Sequence, residues 1–144
     1  MVVYAHTPDG MIKVLAAARA TKPARLITVF GCGGDRDATK RPIMGKTASE
    51  QSDYVIITDD NPRTEDPEII VQNILAGIDD KSHVEIIHDR YAAIERAVNM
   101  AKSGDLVLIA GKGHETTQTL MDRTLEFNDF KVADELVGKR LAAN

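Results

Sequence analysis

Three polar segments of the chain contain the residue types needed to bind a charged ligand. Residues 31–37, here the glycine loop, contain Arg36. Residues 58–67, here the Asp-Asn-Pro-Arg loop, contain Asp60, Asn61 and Arg63. Residues 111–115, here the third loop, begin with a glycine and end with a glutamate. Guanidinium groups bind carboxylates or phosphates through paired hydrogen bonds, and carboxylates accept from ammonium groups. The combination favours a ligand of both charges, such as an amino acid, over a nucleotide.

The Asp-Asn-Pro-Arg loop also has a purely structural interpretation. Asp or Asn before Pro starts turns, and Pro67 at the first helical position would begin a helix capped by Thr64 or Asp66. Local chemistry alone leaves the capped turn and the ligand site both open. The choice depends on whether the three loops meet.

The apolar runs that precede these loops predict a Rossmann-like, open, mostly parallel α/β sheet with helices on both faces and a small antiparallel hairpin near the C-terminus. Strands are expected at 2–5, 26–30, 53–58, 84–87 and 106–110, helices at 8–20, 41–52, 67–78, 89–102 and from 128 onward, and the hairpin at 119–127. The last residues, 138–144, are expected to fray. Because the carboxyl ends of parallel strands share one edge, the three loops should converge there, which favours the site.

Helical periodicity also predicts which side chains face the core. The inward sets are Met11, Val14, Leu15 and Ala18; Ile69, Ile70, Ile74 and Leu75; Tyr91, Ile94, Val98 and Ala101; and Phe130, Ala133, Leu136 and Val137. At the predicted strand-to-helix junction, Arg90 beside Asp89 is expected to form a surface ion pair. His114 is expected to have a structural role rather than a catalytic one.

Length and composition predict a single domain spanning residues 1–144. The chain has 43% hydrophobic and 28% charged residues, a net charge of −4 and one cysteine, Cys32. We expect a cytoplasmic protein with neither a nucleic-acid nor a membrane partner, because basic patches, signal sequences and long apolar runs are all missing from the sequence.

Motifs for nucleotides and metals are incomplete. In the glycine loop the spacing Gly-x-Gly-x-x-Gly fails because Arg36 stands where the third glycine is needed. Met44-Gly45-Lys46-Thr47 resembles the end of a P-loop, but Lys40 stands at the position of the earlier glycine. The third loop offers at most a backbone nest for an anion. A dinucleotide-binding oxidoreductase is therefore a weaker alternative, and the histidine spacing predicts no metal site.

With Tyr4-Ala5-His6-Thr7-Pro8-Asp9 and the three loops in this order, essentially the whole chain resembles the carboxyl-terminal domain of the Mur ligase family. The Asp-Asn-Pro-Arg motif is the most specific part, because in that family it marks the members that add meso-diaminopimelate. One departure is Val3, which stands where the family usually has an Asp that helps the domain meet the nucleotide.

The resemblance implies an ATP-dependent ligase that forms an amide bond to diaminopimelate during peptidoglycan precursor synthesis. ATP and Mg²⁺ would bind mainly to a central ATPase domain, which together with a UDP-binding domain would be the partner of this chain. No catalytic residue and no tightly bound cofactor are expected here, so the isolated chain would be inactive. The alternative is a stand-alone module that binds diaminopimelate or docks on a partner ligase.

The resemblance also implies roles for single residues. Arg36 would bind one carboxylate of diaminopimelate, and Arg63, with Asn61 beside it, would bind the other. Asp60, Glu115 and the backbone of Gly111 would face the distal ammonium end, while Tyr4 and His6 would face the nucleotide.

Overall fold

The computed structural model describes residues 1–143 and contains a five-stranded parallel sheet, a two-stranded antiparallel hairpin and five helices. In chain order the elements are β1 (Val2–Tyr4), α1 (Pro8–Ala20), β2 (Leu26–Phe30), α2 (Lys40–Gln51), β3 (Tyr54–Ile57), α3 (Pro67–Leu75), β4 (Val84–Ile86), α4 (Arg90–Met100), β5 (Leu106–Gly111), β6 (Thr117–Thr119), β7 (Thr124–Glu126) and α5 (Asp129–Ala143). The predicted fold class is confirmed.

The strand order β1-β5-β2-β3-β4 decides which face each helix covers. The chain moves in one direction across the sheet from β1 to β4 and then returns to β5. Because crossovers between parallel strands are right-handed, this reversal moves the connecting helix to the opposite face. Accordingly, α1, α2 and α3 pack on one face of the sheet, and α4 and α5 pack on the other.

Each face of the sheet has its own apolar core. Alternate strand residues such as Phe30 and Ile57 point towards α1, α2 and α3, whereas Val29 and Ile56 point towards α4 and α5. Every residue of β2 is buried, as expected for a central parallel strand covered on both sides. Burial of these side chains stabilises the sheet by roughly 25 cal/mol per Å² of apolar surface.

Side-chain caps fix the helices that begin beside the loops. Thr7 accepts a hydrogen bond from the backbone N–H of Gly10 at the start of α1. Of the two cap candidates for α3, Asp66 is the one that accepts, from the backbone N–H of Glu68. Pro stands in the first turn of both helices, where its missing N–H is harmless.

The inward faces of α3 and α5 differ in part from the prediction. Ile69, Phe130 and Val137 were expected in the core but are 52%, 45% and 46% exposed. In α3 the buried stripe contains Val71 instead of Ile69. In α5, which packs mainly against α4, the buried stripe is narrow and centres on Leu136, because one neighbouring helix cannot cover the broader face that periodicity suggests.

The bounds of the C-terminal elements differ from the prediction. The hairpin is confirmed, although β6 begins at Thr117 rather than at residue 119 and a backbone hydrogen bond from Leu120 to Arg123 closes the turn. Residues 138–143, expected to fray, continue α5 as far as Ala143, and residue 144 lies outside the described residues. No helix within residues 1–143 has both the length and the apolar character needed to span a bilayer.

Candidate functional site

The three loops converge on a cavity of about 330 Å³ at the carboxyl ends of the strands. This is the point where the connections from β2 and β5, which are neighbours, leave towards opposite faces of the sheet. Such a switch point opens a cleft in parallel α/β folds. The cavity is lined by Tyr4, His6, Gly31, Cys32, Gly33, Arg36, Asp37, Lys40, Arg41, Met44, Asp60, Arg63 and Glu115.

Six of the eight predicted site residues line this cavity. The other two, Asn61 and Gly111, lie directly behind its wall. Asn61 is buried, and its Oδ1 accepts hydrogen bonds from Lys112 Nζ at 3.1 Å and from the Thr119 backbone N–H at 2.9 Å. Gly111 has a φ of +128° and ends β5 beside the Asp60 carboxylate.

The glycines of the glycine loop allow it to pack against the Asp-Asn-Pro-Arg loop. A Cβ at Gly31 would lie 2.0 Å from the carbonyl oxygen of Thr58, and one at Gly34 would lie 1.7 Å from that of Pro62. Any side chain at these positions would separate the loops. The glycine pattern therefore reflects loop packing rather than a dinucleotide-binding motif.

Arg63 is held by main-chain contacts on two sides. Its φ is +55°, in the left-handed region that few non-glycine residues adopt. Its backbone N–H donates to Thr119 O at 3.0 Å, and its Nη1 donates to Gly34 O at 3.0 Å and to Asn61 O at 3.3 Å. Within residues 1–143 no hydrogen bond uses Nε or Nη2, so these donors are available to a ligand in the cavity.

One part of the cavity wall is acidic. Asp60 is 1% exposed, yet neither of its carboxylate oxygens has a hydrogen-bond partner within residues 1–143. The nearest nitrogen atoms of basic side chains are His6 Nδ1 at 3.5 Å and Lys112 Nζ at 3.7 Å. Glu115 Oε1 is also unpartnered, with His6 Nε2 and Lys112 Nζ each 3.9 Å away. A buried carboxylate without donors is costly, so this wall is suited to a ligand that brings them.

The buried Lys112 only partly neutralises this acidic group. Its side chain is fully buried, and burial lowers the pKa of the ammonium group although the neighbouring Asp60 carboxylate raises it. Two carboxylates and one ammonium leave one negative charge uncompensated. A ligand group with one positive charge would therefore balance the charge of this part of the wall.

Arg41 is a site residue that the sequence reasoning missed. It is 1% exposed and donates to both carboxylate oxygens of Glu65, at 2.6 and 2.8 Å, and to Gly33 O at 3.0 Å. This ion pair raises the pKa of Arg41, lowers that of Glu65 and ties the glycine loop to the Asp-Asn-Pro-Arg loop. The only signal in the sequence was a pair of opposite charges flanking the two loops.

Arg90 was predicted to form a surface ion pair with Asp89, and that prediction is wrong. Arg90 is buried, and its Nε and Nη2 donate to Asp129 at 2.8 and 2.7 Å. Its Nη1 donates to Asp59 O at 3.1 Å, while Asp89 caps α4 instead. The first residue of α5 covers the arginine, which a local pattern cannot reveal.

The surroundings of His114 and Cys32 indicate structural rather than catalytic roles. His114 is exposed and stacks on Phe130 with ring centroids 5.2 Å apart, outside the cavity lining. Cys32 lines the cavity, but burial raises the pKa of its thiol to about 12. It is therefore a neutral thiol beside Met44, not a nucleophile.

Tyr4 and His6 were expected to face a nucleotide, and they occupy different parts of the cavity wall. Tyr4 is 65% exposed at the rim, with its ring edge against His6, which lies at the acidic wall. Among residues 1–143 no group of three or more His, Cys, Asp or Glu side chains is arranged to hold a metal ion.

An open parallel sheet with a charged cleft at its switch point is typical of α/β domains that bind small molecules. The sequence model of the family described as Mur ligase, glutamate ligase domain, matches residues 1–113. The chain belongs to this family.

Two curated relatives and one solved structure extend the similarity to nearly the whole chain. The UDP-N-acetylmuramoyl-L-alanyl-D-glutamate–2,6-diaminopimelate ligases of Syntrophomonas wolfei and Solibacter usitatus are 53% and 54% identical over 139 residues, which is 95% of this chain. A solved structure of a ligase with the same name has a TM-score of 0.92 and 44% identity over 97% of this chain. The chain spans only 28% of the length of the two relatives and 29% of the solved chain.

Proposed function

We propose that this chain is the amino-acid-recruiting domain of a ligase that adds meso-diaminopimelate to UDP-N-acetylmuramoyl-L-alanyl-D-glutamate. The names of the relatives give the reaction. The observation that supports a role for this domain is the mixed charge of the cleft lining, which contains Arg36 and Arg63 together with the unpartnered oxygens of Asp60 and Glu115.

In this proposal the ligand lies across the cleft. Arg36 binds one carboxylate of diaminopimelate, and the free donors of Arg63 bind the second carboxylate. Asn61 supports the loop behind Arg63, because its Oδ1 accepts hydrogen bonds from Lys112 and Thr119. Asp60 and Glu115, with the backbone of Gly111, accept from the ammonium group at the distal end, which supplies the cation that the acidic wall lacks.

ATP and Mg²⁺ belong, in the same proposal, to the rest of a longer ligase. They would supply the activated acyl group that the amine attacks, and the partners of this chain would be the ATPase and UDP-binding domains of that ligase. Residues 1–144 would form one cytoplasmic domain that holds and orients the amine but is inactive in ligation when isolated.

The test is calorimetric titration of this chain with meso-diaminopimelate and with lysine, which lacks the second carboxylate. A charge-assisted hydrogen bond contributes about 1.5–3 kcal/mol, so Arg63→Ala should reduce the preference for diaminopimelate at least about tenfold. The matched control is Arg123→Ala, since the Arg123 side chain is 64% exposed and lies outside the cleft lining. Equal binding of both amino acids by the unaltered chain, or an unchanged preference in Arg63→Ala, would contradict the proposal.

A further inference from the structure

We propose that the β6 strand, through Gln118, is a positioning element that sets the direction of Arg63 and thereby the selectivity for an amino acid with a second carboxylate. The inference rests on the proposed function. It concerns a part of the chain beyond residues 1–113, where the match to the family model ends.

Gln118 holds the Asp-Asn-Pro-Arg loop from behind. It is 6% exposed, although it belongs to a short strand that is otherwise largely exposed. Its Nε2 donates to Asp60 O at 2.9 Å, with Asp59 O at 3.4 Å. A side-chain amide buried against two consecutive carbonyl groups fixes the backbone of the loop directly before Asn61 and Arg63.

The main chain of Thr119 continues this contact. Its N–H donates to Asn61 Oδ1 at 2.9 Å, and its carbonyl accepts from the Arg63 N–H at 3.0 Å. On the other edge of β6, the flanking residues Leu120 and Thr116 form hydrogen bonds with Arg123 and Phe127, the residues directly before and after β7. Because backbone groups of successive strand residues point to opposite edges, one edge of β6 pairs with the hairpin and the other is free to hold the loop.

Arg63 needs support from outside its own loop. Its left-handed backbone conformation, with a φ of +55°, is unfavourable for a residue with a Cβ. The glycine loop holds it on one side, through Gly34, and β6 holds it on the other. A paired contact between guanidinium and carboxylate depends on the orientation of both planes. Loss of the support from β6 should therefore weaken the contact of Arg63 with a second carboxylate more than other contacts of the ligand.

The experiment compares Gln118→Met with Thr117→Ser in this chain, by titration with meso-diaminopimelate and lysine. Methionine keeps the length of the side chain but removes both donors, whereas Thr117 is exposed and serves as the control. Loss of one buried hydrogen bond predicts a fall of about fivefold in affinity for diaminopimelate. Affinity for lysine should change less than about twofold, and Thr117→Ser should match the unaltered chain.

Amide hydrogen exchange provides a second measurement that needs no ligand. The Arg63 N–H should exchange faster in Gln118→Met, while the Thr58 N–H, bonded to Phe30 O within the sheet, should keep its protection. If Gln118→Met does not fold, Gln118→Leu, which also removes the donors and adds no charge, replaces it.

The outcomes separate this inference from the proposed function. The positioning role of Gln118 would be overturned if Gln118→Met lost affinity equally for diaminopimelate and lysine. It would also be overturned if the variant kept its preference for diaminopimelate and its Arg63 N–H stayed protected from exchange. Absence of any preference in the unaltered chain would instead overturn the proposed function, and the exchange rate at Arg63 would then decide alone whether β6 holds the loop.

Discussion

Two groups of buried charge lie next to each other at the carboxyl edge of the sheet, and they differ in how completely they are paired. On the side covered by α4 and α5, Arg90 and Asp129 are fully buried and joined by two hydrogen bonds. On the cleft side, Asp60 is equally buried but accepts no hydrogen bond within residues 1–143.

The difference separates a structural role from a binding role. A buried ion pair with satisfied hydrogen bonds is already complete, and removing one partner leaves an uncompensated charge. A buried carboxylate without donors is costly to the fold, but it can gain donors from a ligand. Matched substitutions in the two groups should therefore affect different properties.

The largest effect is expected for Asp129→Asn. It leaves the Arg90 guanidinium buried without a countercharge, which should lower the free energy of unfolding by about 3–5 kcal/mol. Chemical denaturation measures the change. Arg96→Met, which removes an exposed ion pair with Glu85, is the control and should change stability by no more than about 1 kcal/mol. A loss for Asp129→Asn as small as that of the control would remove the distinction drawn here.

A smaller change in stability is expected for Asp60→Asn. The substitution relieves the cost of a buried carboxylate without hydrogen-bond donors but also removes the ion pair with Lys112 at 3.7 Å, and because these effects oppose each other the loss of stability should be smaller than for Asp129→Asn. Affinity for diaminopimelate should nevertheless fall about tenfold, as measured by calorimetry. Strong destabilisation with unaltered binding would place Asp60 in the same structural class as Asp129.

The smallest effect is a pH dependence from His88, which lies near both groups. Its ring nitrogens lie 2.7 Å from Asp59 Oδ1 and 2.9 Å from Glu68 Oε2, and these contacts, that with Asp59 foremost, raise the pKa of His88. The stabilisation is therefore fully present below the ordinary pKa of about 6.5 and is lost as the pH rises through the higher folded-state value.

Denaturation of the chain and of His88→Asn across pH 5–9 measures this contribution. The difference in stability should reach at most about 1 kcal/mol, because the side chain is 39% exposed and exposed ion pairs are screened. Comparing the two proteins removes the titration of the other histidines. A difference that grows as the pH rises would contradict the assigned sign.

Much of the fold could be predicted from the sequence because the residues of each helix or strand indicate how far it is buried and where it begins. The continuous apolar run of β2 indicated burial on both faces, and Pro67 with Asp66 indicated the start of α3. Parallel pairing then placed Arg36, Asp60 and Glu115 at one edge, where the cavity lies. Their roles as ligand contacts remain predictions.

What only the tertiary structure decided is which charged and polar residues are covered by distant parts of the chain. Arg90 is buried because Asp129, 39 residues later, begins a helix above it. Gln118 is buried because β6 meets a loop 58 residues earlier in the chain. The periodicity of apolar residues indicates which side of its own helix or strand a residue lies on. It does not record which remote group will cover a polar side chain, and that contact determines whether a buried charge stabilises the fold or remains open to a ligand.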